Sequence, residues 1–219
     1  MGALLSSESI SRDSTPGSPR YCTTYDELLV WHQLARVLQH ALPLELVIAI
    51  LRHAELLVPI PRLSVTSRSH LEVIARTGAV EQRDWFTSPP LTHQDLAHIA
   101  AVQLHTQSHD QGWASQRDGG SWTWFDLCLA RTGRGGDGLV EVRKRAAGEL
   151  RWMSHHNPIA SRKPDEREGA IFDVEHEIWT HARDGDVILV RVCAQYPGWA
   201  NIVYAGSLTF WRYFEPSVI

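Results

Sequence analysis

The spacing of apolar residues changes at Ala100, and this change limits what the chain can fold into. Between Leu28 and Leu38, apolar residues recur at spacings of three and four, which is typical of one face of a helix. From Val102 onward, apolar and polar residues alternate instead. A period of two is typical of β-strands with one buried face. We therefore expect helices near the start of the chain and a mainly β structure after residue 99.

Further strands follow from the same alternation. Turn signals and alternating residues predict strands over residues 121–130, 139–145, 187–194 and 202–211, with Gly206 as a possible site of a bulge. In the first of these, one face carries Trp122, Trp124, Asp126 and Cys128, and the other carries Thr123, Phe125, Leu127 and Leu129. Several strands without helical crossovers favour an antiparallel β-sandwich, of the jelly-roll or galactose-binding type.

Four regions are expected along the chain. Residues 1–20 are rich in Ser, Pro and Gly and predict a disordered tail. Residues 21–60 predict a helical hairpin with Pro43 at the start of a second helix that runs to about Leu57. Residues 61–98 are interpreted as a connector and 99–219 as the β-sandwich domain. Within that domain, Pro158, Pro164 and a mixed charge run predict an exposed loop over 154–175.

Charge and cysteine content narrow the classes of partner. The net charge is −4, so no basic platform for nucleic acid is expected. The three cysteines form no CxxC pair and are expected to be buried thiols. No apolar run reaches the ~18 residues that a membrane span needs. We expect a cytoplasmic protein, with the nucleus or a membrane surface left open.

The first six residues fit the pattern for N-myristoylation at Gly2. A single myristoyl chain gives only weak membrane anchoring. The other interpretation is a disordered start that happens to match the pattern.

Two aromatic turns contain the residues most suited to binding a ligand. One is His109-Asp110-Gln111-Gly112-Trp113, and the other begins at Tyr196. Carboxylate, amide and imidazole groups hydrogen-bond hydroxyls, and a Trp ring stacks on the apolar face of a sugar. The candidate ligand-binding residues are His109, Asp110, Gln111, Trp113, Trp199 and Asn201. The structural alternative is that Asp110 caps a loop while the Trp side chains close the end of the sandwich.

Motifs for catalysis or metal binding are scarce. His176 and His181 stand five residues apart, so they do not share a helix face as the HExxH pair does. We expect no metal and no cofactor, and no nucleophile elbow or phosphate-binding loop identifies catalytic residues. The alternative to a binding protein is a small-molecule enzyme that uses His109 and Asp110 as an acid–base pair in the sandwich mouth.

Two parts of the chain resemble known protein families. Residues 42–51, LPLELVIAIL, are similar to the opening of F-box domains. The motifs SHDQGW, SWTWF, RDGD and YPGWANIVYAG resemble an uncharacterised family from mushroom-forming fungi, in which an F-box-like helix precedes a β-rich domain. The resemblance covers residues 40–58 and 100–212.

The F-box resemblance implies a partner. It implies docking to a Skp-type adaptor of cullin ubiquitin ligases through Leu42, Pro43, Leu46 and Ile50, while the β-domain selects the substrate. F-box proteins with a glycoprotein-binding β-sandwich make a glycan ligand a reasonable analogy. The chain departs from a full F-box because Pro59 and Pro61 end the helical region. The leading hypothesis is a non-enzymatic binding or adaptor protein that recognises a protein or a glycan.

Overall fold

The computed structural model describes residues 20–22, 24–114, 120–133 and 140–216. The predicted tail up to residue 19 and the predicted lipidation at Gly2 lie outside these residues. The chain divides into two compact units. The smaller unit comprises Met1–Leu57 with Phe214–Ile219, and the larger comprises Val58–Tyr213.

Among its described residues, the smaller unit contains two helices and a pair of parallel strands. The elements are β1 (Arg20–Tyr21), α1 (Tyr25–Gln39), α2 (Leu44–His53) and the start of β2 (Leu56–Pro59). The hydroxyl of Thr24 caps α1 by accepting the Glu27 N–H at 3.2 Å. The α2 helix ends at His53, short of the predicted Leu57. It ends there because Glu55 has a positive φ of 50° and the next residues are extended.

The larger unit contains twelve strands and two short helices among its described residues. The strands are β3 (Val65–Ser67), β4 (Leu71–Ile74), β5 (Val80–Thr87), β6 (Ile99–His109), β7 (Thr123–Thr132), β8 (Val140–Val142), β9 (Lys144–Arg145), β10 (Gly148–Glu149), β11 (Arg151–His156), β12 (Asp165–Asp173), β13 (Asp186–Gln195) and β14 (Ala200–Tyr213). The helices are α3 (His93–His98) and α4 (Glu177–His181).

Ten of these strands form two antiparallel sheets, and β9 and β10 pair with each other in a separate two-stranded sheet. In the first sheet the order is β14-β6-β12, and β3 and β4 pair along the other side of β14. In the second sheet the order is β11-β7-β13-β5, and β8 also pairs with β7. The prediction of a mainly β, antiparallel structure is confirmed.

One apolar core joins the inner faces of the two sheets. Val102 and Leu104 of the first sheet belong to the same buried cluster as Phe125 and Leu127 of the second. Of the two faces that the alternation predicts for β7, the one with Phe125, Leu127 and Leu129 lies in this core. Burial of these side chains is the main favourable contribution to folding of this unit.

Two segments differ from their predicted roles. Residues 61–98, interpreted as a connector, supply β3, β4 and β5 to the sheets. Residues 154–175, predicted as an exposed loop, include β12 on the edge of the first sheet. Its run of Asp, Glu and Arg is a charged edge, which discourages pairing with another chain. Charges of this kind make an edge strand look like a loop in the sequence.

Close packing fixes glycine at position 206. A Cβ there would lie 2.5 Å from Cη2 of Trp85, on the opposite sheet. The register of β14 against β6 shifts between Val203 and Ala205 and between Trp211 and Arg212, so the predicted bulge at Gly206 lies elsewhere. Gly206 therefore permits close approach of the two sheets.

We expect Gly206→Ala to lower the free energy of unfolding by about 1–3 kcal/mol, because the Trp85 ring must shift to admit a methyl group. Urea unfolding followed by circular dichroism measures the change. The control is Gly78→Ala, whose Cβ would come no nearer than 4.0 Å, to Tyr196 Cδ1. Equal stability of the two variants would contradict this packing.

Candidate functional site

The loop after β6 is fixed by the carboxylate of Asp110. This side chain is fully buried. Its Oδ1 accepts the Gly112 N–H at 2.8 Å and its Oδ2 accepts the Ala160 N–H at 2.6 Å. Both oxygens are therefore used within the protein. Asp110 holds two loops together, as the structural alternative proposes.

Gly112 also helps to fix the loop after β6. Its φ of 81° favours glycine, and a Cβ there would lie 2.7 Å from Cγ of Arg162. The Arg162 Nε donates to the Gly112 carbonyl at 3.0 Å. The backbone that leads into Trp113 is thus held from both sides.

His109 does not form a side-chain pair with Asp110. Its Nδ1 lies 2.5 Å from the main-chain carbonyl of Asp110, and its Nε2 lies 3.3 Å from the hydroxyl of Tyr204. A carbonyl can only accept, so Nδ1 donates to it, while the Tyr204 hydroxyl can serve as either donor or acceptor toward Nε2. The two rings stack with centroids 5.7 Å apart. The imidazole of His109 and the carboxylate of Asp110 therefore bond to other groups rather than to each other.

Gln111 and Asn201 also bind to the protein itself. The Oε1 of Gln111 accepts the Ala200 N–H at 3.3 Å. Asn201 is fully buried, and its Nδ2 donates to the carbonyls of Trp124 and Cys193 at 3.0 and 3.1 Å. These two predicted ligand-binding side chains therefore position the turn that contains Trp199.

Exposed aromatic side chains gather around that turn. Trp113 is 56 % exposed, and its ring lies 3.5 Å from where a Cβ on Gly198 would be. Tyr196 packs edge-on against Trp122 with centroids 4.6 Å apart, and both are exposed. We call Trp113, Trp122 and Tyr196 the aromatic loop face. Trp199 is only half-exposed, and its carbonyl accepts the Ala75 N–H at 2.9 Å.

Sequence reasoning missed Trp122 and Tyr196 as members of this face. Both lie in motifs singled out above, since Trp122 belongs to SWTWF and Tyr196 begins YPGWAN. The usable signal was the Pro197-Gly198 pair, which marks a turn and places the neighbouring Tyr196 at the surface.

A chain of buried polar groups lies behind the face. Asn157 Nδ2 donates to Asn201 Oδ1 at 2.8 Å, and Asn157 Oδ1 accepts from the Ser108 hydroxyl at 2.7 Å. Thr106 joins Ser108 at 3.1 Å and His155 Nε2 at 2.9 Å. Buried polar groups need such partners, so this chain fixes side chains of both sheets in one arrangement.

His155 is held neutral within this chain of buried polar groups. Burial, together with the smaller effects of the neighbouring His156, His105 and Arg167, lowers its pKa to about 4. The ring stacks on Phe125 with centroids 4.8 Å apart. A charged imidazole here would be costly, so His155 serves as a neutral link between Thr106 and Ser154.

Features of metal-binding and membrane-spanning proteins are missing from the described residues. Within residues 20–22, 24–114, 120–133 and 140–216, no group of three or more His, Cys, Asp or Glu is placed to hold a metal ion. In the same part of the chain, no helix is both long and apolar enough to cross a membrane. The three cysteines are buried and free, and burial raises the pKa of Cys128 to about 12.

Known proteins provide no match from which a function could be transferred to this chain. No family model matches this chain, and no curated protein matches its sequence significantly.

The neutral state of His155 predicts how stability depends on pH. Its pKa is about 4 in the folded protein, against 6.5 for an unperturbed histidine, so the unfolded chain binds more protons between these values. The neutral His155 therefore costs no folding stability above pH 6.5. As the pH falls from 6.5 through 4, the free energy of unfolding decreases by about 3 kcal/mol in all.

Urea unfolding at pH 7 and pH 4.5 measures this loss. His155→Gln, which keeps a polar side chain but does not titrate, should lose less stability between the two pH values than the wild type. The exposed His93 supplies the control, since His93→Gln should behave like the wild type. A His155→Gln variant with an unchanged pH dependence would show that His155 is not held neutral.

Proposed function

We propose that this chain is a non-enzymatic binding protein that recognises a protein or a glycan through the aromatic loop face. The observation that carries the proposal is a set of exposed rings on a backbone that buried groups hold still. Trp and Tyr lose little conformational entropy on binding and are enriched where ligands are contacted. Asp110, Gln111 and Asn201 support this role by fixing the loops.

We further propose that the two sheets form a sandwich of the jelly-roll type. The shared core supports this arrangement, because residues of both sheets belong to one buried cluster. In such a sandwich the loops at one end are free to carry a binding surface, and the aromatic loop face consists of such loops.

The adaptor role is proposed for the smaller unit. Leu46 and Ile50 are exposed on α2, four residues apart, while Leu42 is half-buried and Pro43 is exposed. Residues at this spacing share one helix face. Tyr25, Val30 and Val37 of α1 are also exposed. So many exposed apolar side chains support docking of this unit to another protein. The F-box resemblance suggests that this partner is a Skp-type adaptor.

Affinity capture with the full chain as bait tests both surfaces in one experiment. We expect the double variant Trp113→Ala, Trp122→Ala to lose the ligands retained by the loop face, read by mass spectrometry for proteins and by a glycan array for sugars. The double variant Leu46→Ala, Ile50→Ala should lose Skp-type adaptors and keep the loop-face ligands.

The matched control is Met153→Ala, because Met153 is 53 % exposed in the middle of β11 and belongs to neither surface. Circular dichroism confirms that each variant is folded. Capture that is the same for the loop-face variant and the control would refute the binding role of the aromatic loop face. A wild-type bait that retains no Skp-type adaptor would refute the adaptor role alone.

A further inference from the structure

A polar groove lies on the outer face of the first sheet. Its volume is about 620 Å³, which is within the range of known ligand sites. The side chains that line it are hydroxyl, amide, imidazole and carboxylate groups from β3, β6, β12 and β14. We define the polar groove by Thr66, His105, Gln107, Glu166, Glu168 and Ser207.

Strand register arranges these residues in two rows. One row runs Thr66, Ser207, His105 and Glu168 across four strands. The second runs Ala205, Gln107 and Glu166. Neighbours across an antiparallel pair stand about 5 Å apart. The first row therefore offers a hydrogen-bonding side chain on each of its four strands, and the second row offers one on every strand except that of Ala205.

The groove results from irregular strand pairing. The register of β14 against β6 shifts between Val203 and Ala205, and that of β12 against β6 shifts between Glu168 and Ile171. Such bulges bend strands and increase their twist. The small side chain of Ala205 leaves room between them.

The polar groups of the groove are unused within the protein. Across the described residues, none of the six side chains that define it forms a side-chain hydrogen bond or ion pair. Arg167 also lines the groove, but its guanidinium pairs with Asp165 at 2.8 Å. The carboxylates of Glu166 and Glu168 are therefore not neutralised. This contrasts with the loop end of the sheets, where Asp110 and Asn201 have every oxygen engaged.

The lining chemistry selects the class of ligand. Ala205 is the apolar residue among those that line the groove, so an apolar ligand gains little there. Two carboxylates without cation partners disfavour an acidic ligand. Hydroxyl, amide and carboxylate groups together both donate to and accept from the hydroxyls of a sugar.

An aromatic ring stands next to the groove on the same strand. Tyr204 is exposed, and its ring is held between His109 and His70, with centroids 5.7 and 5.1 Å away. A fixed ring of this kind can stack on the apolar face of a pyranose. The strand from Tyr204 to Thr209 spans about 17 Å, which suits several linked sugars better than one.

We propose that the polar groove binds an oligosaccharide without acidic groups, either neutral or bearing amino groups. This site is separate from the aromatic loop face and does not depend on the function proposed for that face. Hydrogen bonds from the two rows hold the sugar hydroxyls, and Tyr204 stacks on the ring at one end. Amino groups, where present, lie against Glu166 and Glu168.

Nuclear magnetic resonance titration of the ¹⁵N-labelled full chain tests the proposal. The probes are neutral, amino-bearing and acidic oligosaccharides of defined linkage, chosen from a glycan array, together with a hexalysine peptide. We expect a neutral or amino-bearing oligosaccharide to shift the amide signals of His105, Gln107, Tyr204 and Ser207. Acidic oligosaccharides should not shift them.

The double variant Gln107→Ala, Glu166→Ala should weaken that binding at least about tenfold, since it removes one hydrogen-bonding group and one charged acceptor. The control Gln94→Ala, Glu175→Ala removes the same groups from exposed positions outside the groove and should bind like the wild type. Trp113→Ala, Trp122→Ala should also leave this binding unchanged, which separates the groove from the loop face.

Three results would overturn the proposal. The first is that no neutral or amino-bearing oligosaccharide shifts the groove signals. The second is that hexalysine alone binds, which would identify the groove as a site for basic peptides. The third is that the groove variant binds as tightly as its control.

Discussion

The buried amide of Asn157 joins the two sheets at the end where the aromatic loops leave them. Its Oδ1 accepts from Ser108 of β6, and its Nδ2 donates to Asn201 of β14 and to Thr123 of β7. Its main-chain N–H donates to the Thr123 carbonyl at 3.1 Å. Ser108 and Asn201 belong to the first sheet and Thr123 to the second. Because all four side chains are buried, a broken bond would leave a polar group unpaired at a cost of about 1–3 kcal/mol.

This constraint explains why the polar side chains of the loops bond within the protein while the aromatic rings of the loops are exposed. Asp110, Gln111 and Asn201 use their hydrogen-bonding groups on the backbone, which leaves Trp113, Trp122 and Tyr196 to face solvent. The groove on the outer face of the first sheet shows the opposite pattern, with polar groups left open. The larger unit therefore presents two surfaces of different chemistry, one aromatic and one hydrogen-bonding.

The fold could be predicted where side-chain periodicity decides it. The change of period near Ala100 and the two faces of β7 follow from short-range pattern, and both are present. The strand β12 could not be predicted, because the charges of Glu166, Arg167 and Glu168 hide an edge strand whose pairing with β6 is not local. The end of α2 depends on the positive φ of Glu55, for which its sequence gives no sign.

The candidate site was harder to predict than the fold, for a physical reason. An Asp or Asn in a loop has the same side chain whether it contacts a ligand or caps a backbone N–H. Only the burial of the side chain and its hydrogen-bond partners distinguish these two roles. Asp110 and Asn201 are buried and bond to main-chain groups of the protein. The groove residues lie on four strands separated by up to 141 positions, from Thr66 to Ser207. Without strand register, nothing in the sequence brings them together.

Asn157 holds the loops of the aromatic loop face in place, and hydrogen–deuterium exchange tests this role most directly. The wild type is compared with Asn157→Ala, with exchange resolved by peptide. The control Ile178→Ala opens a cavity elsewhere in the core of the same unit. We expect faster exchange over residues 108–114 and 195–203 in Asn157→Ala, beyond any change in Ile178→Ala. Exchange in both loops that matches the control would contradict the role of Asn157.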